Sequence, residues 1–244
     1  MGILAGIGTA LLVSLIFAYF HLNLNANATI CGTAINTFAA GFTVLLLFTL
    51  TGEKGTSASL KSFSFPTIHI PFIEDIPVLG TILSGHNLMT YIALFSVFAV
   101  WFLLSKTPLG LRIRSVGENP DASSSVGVNV RKTRYIAILL CGVLTGLGGM
   151  YMSMGYLSMF TREMVAGRGF IALAAAAMGQ STPLGVFFSS MLFAFFDGMS
   201  NTLQLLNIPS QFIDMLPYLA TIGGLTVYSI RKAQKAKRRL AVGS

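Results

Sequence analysis

The chain has 244 residues, of which 54% are hydrophobic and only 10% charged, against about 25% charged in an ordinary soluble domain. Its net charge of +8 does not mark a nucleic-acid partner, because six of the 16 Lys and Arg fall in 106–134 and six in 231–239. Both clusters abut apolar runs of bilayer length, so the composition specifies an all-α, polytopic helical protein of the lipid bilayer, with its basic segments on the cytosolic side.

The first run, Gly2–Phe20, is uncharged and of spanning length. It lacks a basic n-region and a small-residue cleavage site, so it reads as a span rather than a leader. HLNLNANA is a polar turn, and Thr29–Thr51 is the second span, with Asn36 and Gly41 inside it. An Asn within a span either bonds a neighbouring helix or lines a polar path. Gly52–Asn87 is rich in Ser, Thr and Pro and has few basic residues, which suits the outer face. Its Phe63, Phe65, Phe72 and Ile73 are expected at the interface or packed on the outer surface. Leu88–Ser105 is the third span, with Trp101 near its inner end.

The longest polar interruption follows, TPLGLRIRSVGENPDASSSVGVNVRKTR, from Thr107 to Arg134. Within it Asn119 is a good N-cap, Pro120 fits the first helical position and Asp121 places a negative charge in the first turn. Gly127 is suited to end the helix in a left-handed conformation. The spacing predicts a helix of roughly two turns between Pro120 and Val126. Such a knob, held by basic flanks at the membrane surface, is either a protein contact or an ordinary capped turn between helices.

Tyr135–Phe160 is a long glycine-rich span in which Gly142 and Gly146 would let another backbone come close. Thr161–Gly169 is a turn. Phe170–Gln180 is short for a crossing, and is either a half-helix or a span extended by its neighbours. Leu184–Leu206 and Met215–Ile230 complete about seven membrane segments. They leave a transmembrane region of 1–230 and a basic tail, 231–244, that anchors to anionic headgroups. Alternation puts 106–134 and the tail inside, 52–87 outside, the 21–28 turn inside and Met1 outside. An outside start within an apolar span raises the expectation of an odd number of upstream spans.

The chain has no P-loop, HExxH or GxSxG pattern, no metal cluster and no paired acid and base, so no cofactor and no enzymatic activity of its own are expected. Cys31 and Cys141 lie in apolar runs as packing residues. Asp197 is the ionisable group within a span. It is either a functional group facing the bundle interior or water, or a carboxylate paired with Ser, Asn or backbone at a helix break. Ser200 and Asn201 share its helix face, and with Gln204 they extend a polar stripe. Asn36, Asp197, Asn201 and Gln204 are the candidate pathway-lining residues.

The run TPLGLRIRSVGENPDASSSVGVNVRKTRYIA, followed by GRGFIALAAAAMGQSTPLGVFFSSMLFAFFDG, resembles permease subunits of binding-protein-dependent ABC importers. The likeness is to the branch that carries ribose, branched-chain amino acids and nucleosides, and most of all to permeases of bacterial nucleoside importers. It rests on Gly110, Arg114, Gly117, Glu118, Asn119, Pro120, Ala122, Gly127 and Asn129 in the first run. In the second it rests on the block from Gly169 to Gly185.

The resemblance implies import of a small molecule, a nucleoside or simple sugar, across a bacterial plasma membrane. It implies a second permease subunit, cytosolic ATP-binding subunits and an extracellular substrate-binding protein as partners. It also makes Gly117, Glu118, Asn119, Pro120, Asp121 and Ala122 the ATPase-coupling residues. Two departures stand out: the start is short for the family, and Ser123, Ser124 and Ser125 replace better helix formers, which leaves the length of the coupling helix open. A gradient-driven secondary transporter using Asp197 is the alternative.

Overall fold

The structure is a computed structural model that describes residues 2–59, 64–68, 84–203, 222, 223 and 226. The chain divides into two compact units, Met1–Met164 and Val165–Ser244. The first holds α1 (Gly2–Asn23), α2 (Ala28–Thr51), β1 (Thr67–Ile68), β2 (His86–Asn87), α3 (Leu88–Lys106), α4 (Pro108–Glu118), α5 (Pro120–Ser125) and α6 (Val130–Met150). A π-helical turn, Tyr151–Tyr156, extends α6. The second unit holds α7 (Arg168–Met178) and α8 (Pro183–Leu203).

Four helices among the described residues are long and apolar enough to cross a membrane: Gly2–Asn23, Ala28–Thr51, Leu88–Lys106 and Val130–Tyr156. Each coincides with an expected span apart from shifted ends. Side-chain caps set several of those ends. Asn27 Oδ1 accepts the Thr29 N–H at 2.9 Å, and Asn87 Oδ1 accepts the Met89 N–H at 3.1 Å. Gly52, at φ 75°, closes α2 in the left-handed region, where a glycine carries no Cβ penalty.

Three local expectations change. The span read as Tyr135–Phe160 starts five residues earlier, at Val130. Asn129 caps it there, its Oδ1 accepting the Lys132 N–H at 2.9 Å. Its far end leaves the α-helical pattern in the π-turn, closed by Leu157 N–H to Met152 O at 3.1 Å. The polar stretch after Lys106 is not a loop up to Asn119, because it contains α4.

In the first unit α1 and α6 pack antiparallel along their lengths. A Cβ at Gly142 would collide with Ser14 Oγ, and one at Gly146 would come within 2.9 Å of Ala10 Cβ. The small pair is the point of closest approach, as its spacing implies. At one end of this pair, Asn23 of α1 meets Arg131 and Tyr135 of α6. At the other end, the segment after α2 pairs with the segment after the π-turn. Ser57 N–H donates to Phe160 O at 2.9 Å and Arg162 N–H to Gly55 O at 2.9 Å, while Phe160 N–H donates to Ser57 Oγ at 2.9 Å. Phe65 is buried there, with its N–H on Met154 O, and β1 pairs antiparallel with β2. Phe63, Phe72 and Ile73 lie outside the described residues.

Among the described residues few side chains are buried, while Leu12, Ile16, Phe38, Leu45, Phe95 and Phe98 are among many large apolar groups left open. Open apolar helix faces of this kind suit lipid or a neighbouring helix.

In the second unit α7 has eleven residues, about 16 Å of helix, well short of the ~30 Å hydrocarbon thickness. The segment read as Phe170–Gln180 is short, as expected, whether it stands as a half-helix or forms part of a longer crossing. Gly179 and Gly185 pack backbone to backbone at the turn into α8, and a Cβ on either would collide with the other strand of the turn. The segment Met215–Ile230 and the tail are outside the described residues, apart from single positions.

Candidate functional site

The polar hairpin between α3 and α6 is built from side-chain oxygens. Thr107 ends α3 by donating its hydroxyl to Leu103 O at 2.6 Å. The same oxygen accepts the Gly110 N–H at 3.2 Å, which starts α4 with Pro108 in its first turn. Gly110 then lies against the α3 backbone, where a Cβ would collide with Leu103 O and Leu104 Cα. Gly110 and Val116 are buried and Ile113 is half-buried, so one face of α4 packs on α3 and α6. Arg112 and Arg114 stay exposed.

Asn119 is the hinge of the hairpin. Its own N–H closes α4 on Ser115 O at 2.9 Å. Its Oδ1 then accepts the N–H groups of Asp121 at 3.1 Å and Ala122 at 3.0 Å, so it caps α5. The Ser123 hydroxyl donates to Asn119 O at 2.9 Å, and Ser123 is buried. The far end closes in the double pattern of a Schellman cap: Gly127 N–H to Ser124 O and Val128 N–H to Ser123 O, each 3.0 Å. Gly127 has φ 84°. All six residues of α5 are thus held from both ends, and the three serines do not stop it from forming.

The hairpin presents Gly117, Glu118, Asn119, Asp121 and Ala122 as exposed residues beside half-buried Pro120. The six expected contact residues therefore form one continuous surface. Val126, which the sequence reading used only to mark the helix end, is 79% exposed beside them. An open valine on a polar knob is an apolar group available at its surface, and its position in the capped turn made it findable. Leu111, on the outer face of α4, is also exposed.

Of the expected pathway residues, Asn36 lies in the first unit and Asp197 and Asn201 in the second. Asn36 is exposed on α2, and its side chain has no hydrogen-bond partner among the described residues. Asp197 is half-buried on α8, four and eight positions from buried Phe193 and Ser189. Its helix runs unbroken from Pro183 to Leu203, so no helix break accompanies the carboxylate. Asn201 lies on the same helix, and Gln204 is outside the described residues.

A separate groove of about 610 Å³ opens between α1, α2 and α6, lined by residues such as Thr9, Ser14, Phe17, Ile35, Thr145 and Ser153. The hydroxyls of Thr9, Thr145 and Ser153 donate to carbonyls of their own helices, which leaves its wall largely apolar.

Comparison with known proteins gives a consistent picture. Residues 1–223 match a family described as branched-chain amino acid transport system / permease component. The chain is 38% identical over 231 residues to the guanosine ABC transporter permease protein NupQ of Bacillus subtilis, covering 93% of this chain and 72% of the relative. It is 34% identical over 235 residues to the nucleoside ABC transporter permease protein NupC of Lactococcus lactis, covering 93% and 73%. It is 28% identical over 266 residues to the putative glucose ABC transporter permease protein TsgC13 of Haloferax volcanii, covering 100% and 78%. No solved structure matches the chain.

Proposed function

The chain belongs to the family of permease components of branched-chain amino acid transport systems, and on that premise we propose that it forms half of a nucleoside import pathway driven by separate ATPases. Nucleoside is favoured over sugar because the relatives named for guanosine and nucleoside are more alike to this chain than the one named for glucose. In this reading the basic segments face the cytosol of a bacterial cell, the tail included. The 52–87 segment faces outward, where a binding protein delivers substrate, and a second permease completes the pathway. The apolar surface left open on α1, α2 and α3 suits such a partner as well as lipid. The gradient-driven alternative draws no support from the family match.

The observation that carries the reading is the doubly capped α5, which holds Gly117 to Ala122 and Val126 outward on a rigid hairpin. A contact that transmits force needs a fixed shape, and here both helix ends are closed by hydrogen bonds within the hairpin. ATP binding draws the ATPases together, and the hairpin moves with them. Asn36, Asp197, Asn201 and Gln204 serve the path itself in this scheme. Asp197→Asn is expected to lower uptake with assembly intact, and unchanged uptake would show the charge to be dispensable.

The decisive test is Ala122→Arg, which sets a large charged side chain on the exposed face. The variant is expected to reach the membrane yet lose co-purified ATPase or its substrate-stimulated turnover in proteoliposomes. Arg112→Ala with Arg114→Ala is the control, since those side chains lie off the proposed contact. Full complex and full stimulation in Ala122→Arg would sink the assignment of the hairpin.

A further inference from the structure

We infer that Asn23 is a positioning residue for transport: its side chain joins the coupling hairpin to the α1–α2 pair, so that motion of the first is delivered to the second. The inference rests on the importer reading above. Asn23 is the last residue of α1. Its Oδ1 accepts from Tyr135 OH at 2.9 Å and from Arg131 Nε at 3.2 Å. The two donors are four residues apart, so they stand on one face of α6. They span 108 and 112 positions of sequence, so the contact is tertiary.

Each neighbouring link is stiff. Between α5 and α6 lie only Val126–Asn129, closed by the Schellman bonds on one side and the Asn129 cap on the other. Thr133, in the second turn of α6, is buried and donates to Asn129 O at 2.8 Å. On the far side of the clamp the α1–α2 turn is also closed. His21 Nδ1–H donates to Ala26 O at 3.0 Å, Ala26 N–H donates to Phe20 O at 3.1 Å, and Asn27 caps α2. A displacement of the α6 start therefore reaches α1 through this clamp, at the end nearest the hairpin, as well as through the packing of the two helices along their lengths, and passes to α2 through the closed turn. Those three helices are the walls of the 610 Å³ groove, so the clamp sets how the groove changes when the hairpin moves.

A polar group at this place could instead serve stability alone, and the two roles separate by measurement. The importer, assembled with its second permease, ATPases and binding protein in proteoliposomes, is assayed for ATP hydrolysed per guanosine imported. Asn23→Ala is expected to keep basal hydrolysis and raise that ratio roughly three- to tenfold, the weight of about one net hydrogen bond. Asn23→Asp keeps the acceptor and is expected to restore the ratio. Tyr135→Phe removes one donor and is expected to fall between. The double variant Asn23→Ala/Tyr135→Phe is expected to be no worse than Asn23→Ala, as for two partners in one interaction.

A wild-type ratio in Asn23→Ala, or additive effects in the double variant, overturns the inference. If Asn23→Ala does not assemble, Tyr135→Phe decides: an unchanged ratio in its assembled complex overturns the inference, and a raised one supports it. A wild-type complex with no ATP-driven guanosine uptake defeats the importer reading first, which keeps the two failures distinct.

Discussion

The two ends of the first unit are fastened by different chemistry. At the hairpin end side-chain oxygens do most of the work: Thr107, Asn119 and Asn129 cap helices, and Asn23 ties α1 to α6. At the opposite end most bonds run backbone to backbone, Gly55 and Ser57 on Arg162 and Phe160, with Phe65 on Met154, and the Ser57 hydroxyl adds a side-chain bond to the Phe160 N–H. Side-chain fastenings can be changed one at a time by substitution, whereas backbone pairing is indifferent to most side chains. The hairpin end is therefore where sequence controls function in small steps, and the other end is where the chain is simply held together.

The largest expected contrast is topological. With Cys31 and Cys141 removed, a single cysteine at Ala58 should react with a membrane-impermeant thiol reagent in intact cells. One at Ser124 should react only after permeabilisation, and the reverse pattern would invert the proposed orientation. Next in size is Gly110→Val. Its side chain has no room against Leu103 and Leu104, and overpacking of this kind costs about 1–3 kcal/mol or more. The expected outcome is α4 sprung from α3, seen as new protease cleavage within 106–118 and loss of co-purified ATPase. Retained ATPase binding would mean that α5 docks without α4 beneath it.

Ser57 then tests the backbone end. Ser57→Pro removes the N–H that bonds Phe160 O and is expected to lower stability by about 1–3 kcal/mol. Ser57→Ala loses only the hydroxyl and should cost about 0.5–1.5 kcal/mol. Equal melting temperatures for the two in detergent would refute backbone control. Comparably small in its effect on stability is Asn119→Ala, about 1 kcal/mol of capping within a hairpin fixed at both ends by spans. Its melting temperature should barely move while ATPase affinity falls, because a helix of six residues has little stability without its cap.

Legibility in the sequence follows the same division. Asn119, Pro120 and Gly127 announced α5 because caps act over two or three residues, and the apolar runs announced the four spans. α4 carried a similar signal in Thr107 and Pro108. Arg112, Arg114 and a low overall hydropathy give the stretch the look of a loop, although Gly110, Ile113 and Val116 recur at helical spacing. The start of α6 was set too late, at Tyr135, because a span boundary drawn by hydropathy discards Arg131, Lys132 and Arg134 even when Asn129 caps them into the helix. The clamp at Asn23 and the pairing of Ser57 with Phe160 had no local signal, since each joins residues more than a hundred positions apart. Of the pathway candidates, Asn36 and Asp197 were visible as polar residues in apolar runs, but composition alone does not say what they face.

The π-turn has a bearing on how this chain tolerates insertion and deletion. A turn closed by Leu157 N–H on Met152 O holds one residue more than the α-helical turn needs. Removing a single codon between Tyr151 and Tyr156 would leave enough chain for a plain α-helix. Because the residue removed is the surplus one, the residues beyond it would keep nearly their present facing. Phe160 and Arg162 would stay opposite Ser57 and Gly55. A single-residue deletion between Tyr151 and Tyr156 should therefore be better tolerated than one in the regular part of α6, where everything beyond would be carried round the axis by about 100°.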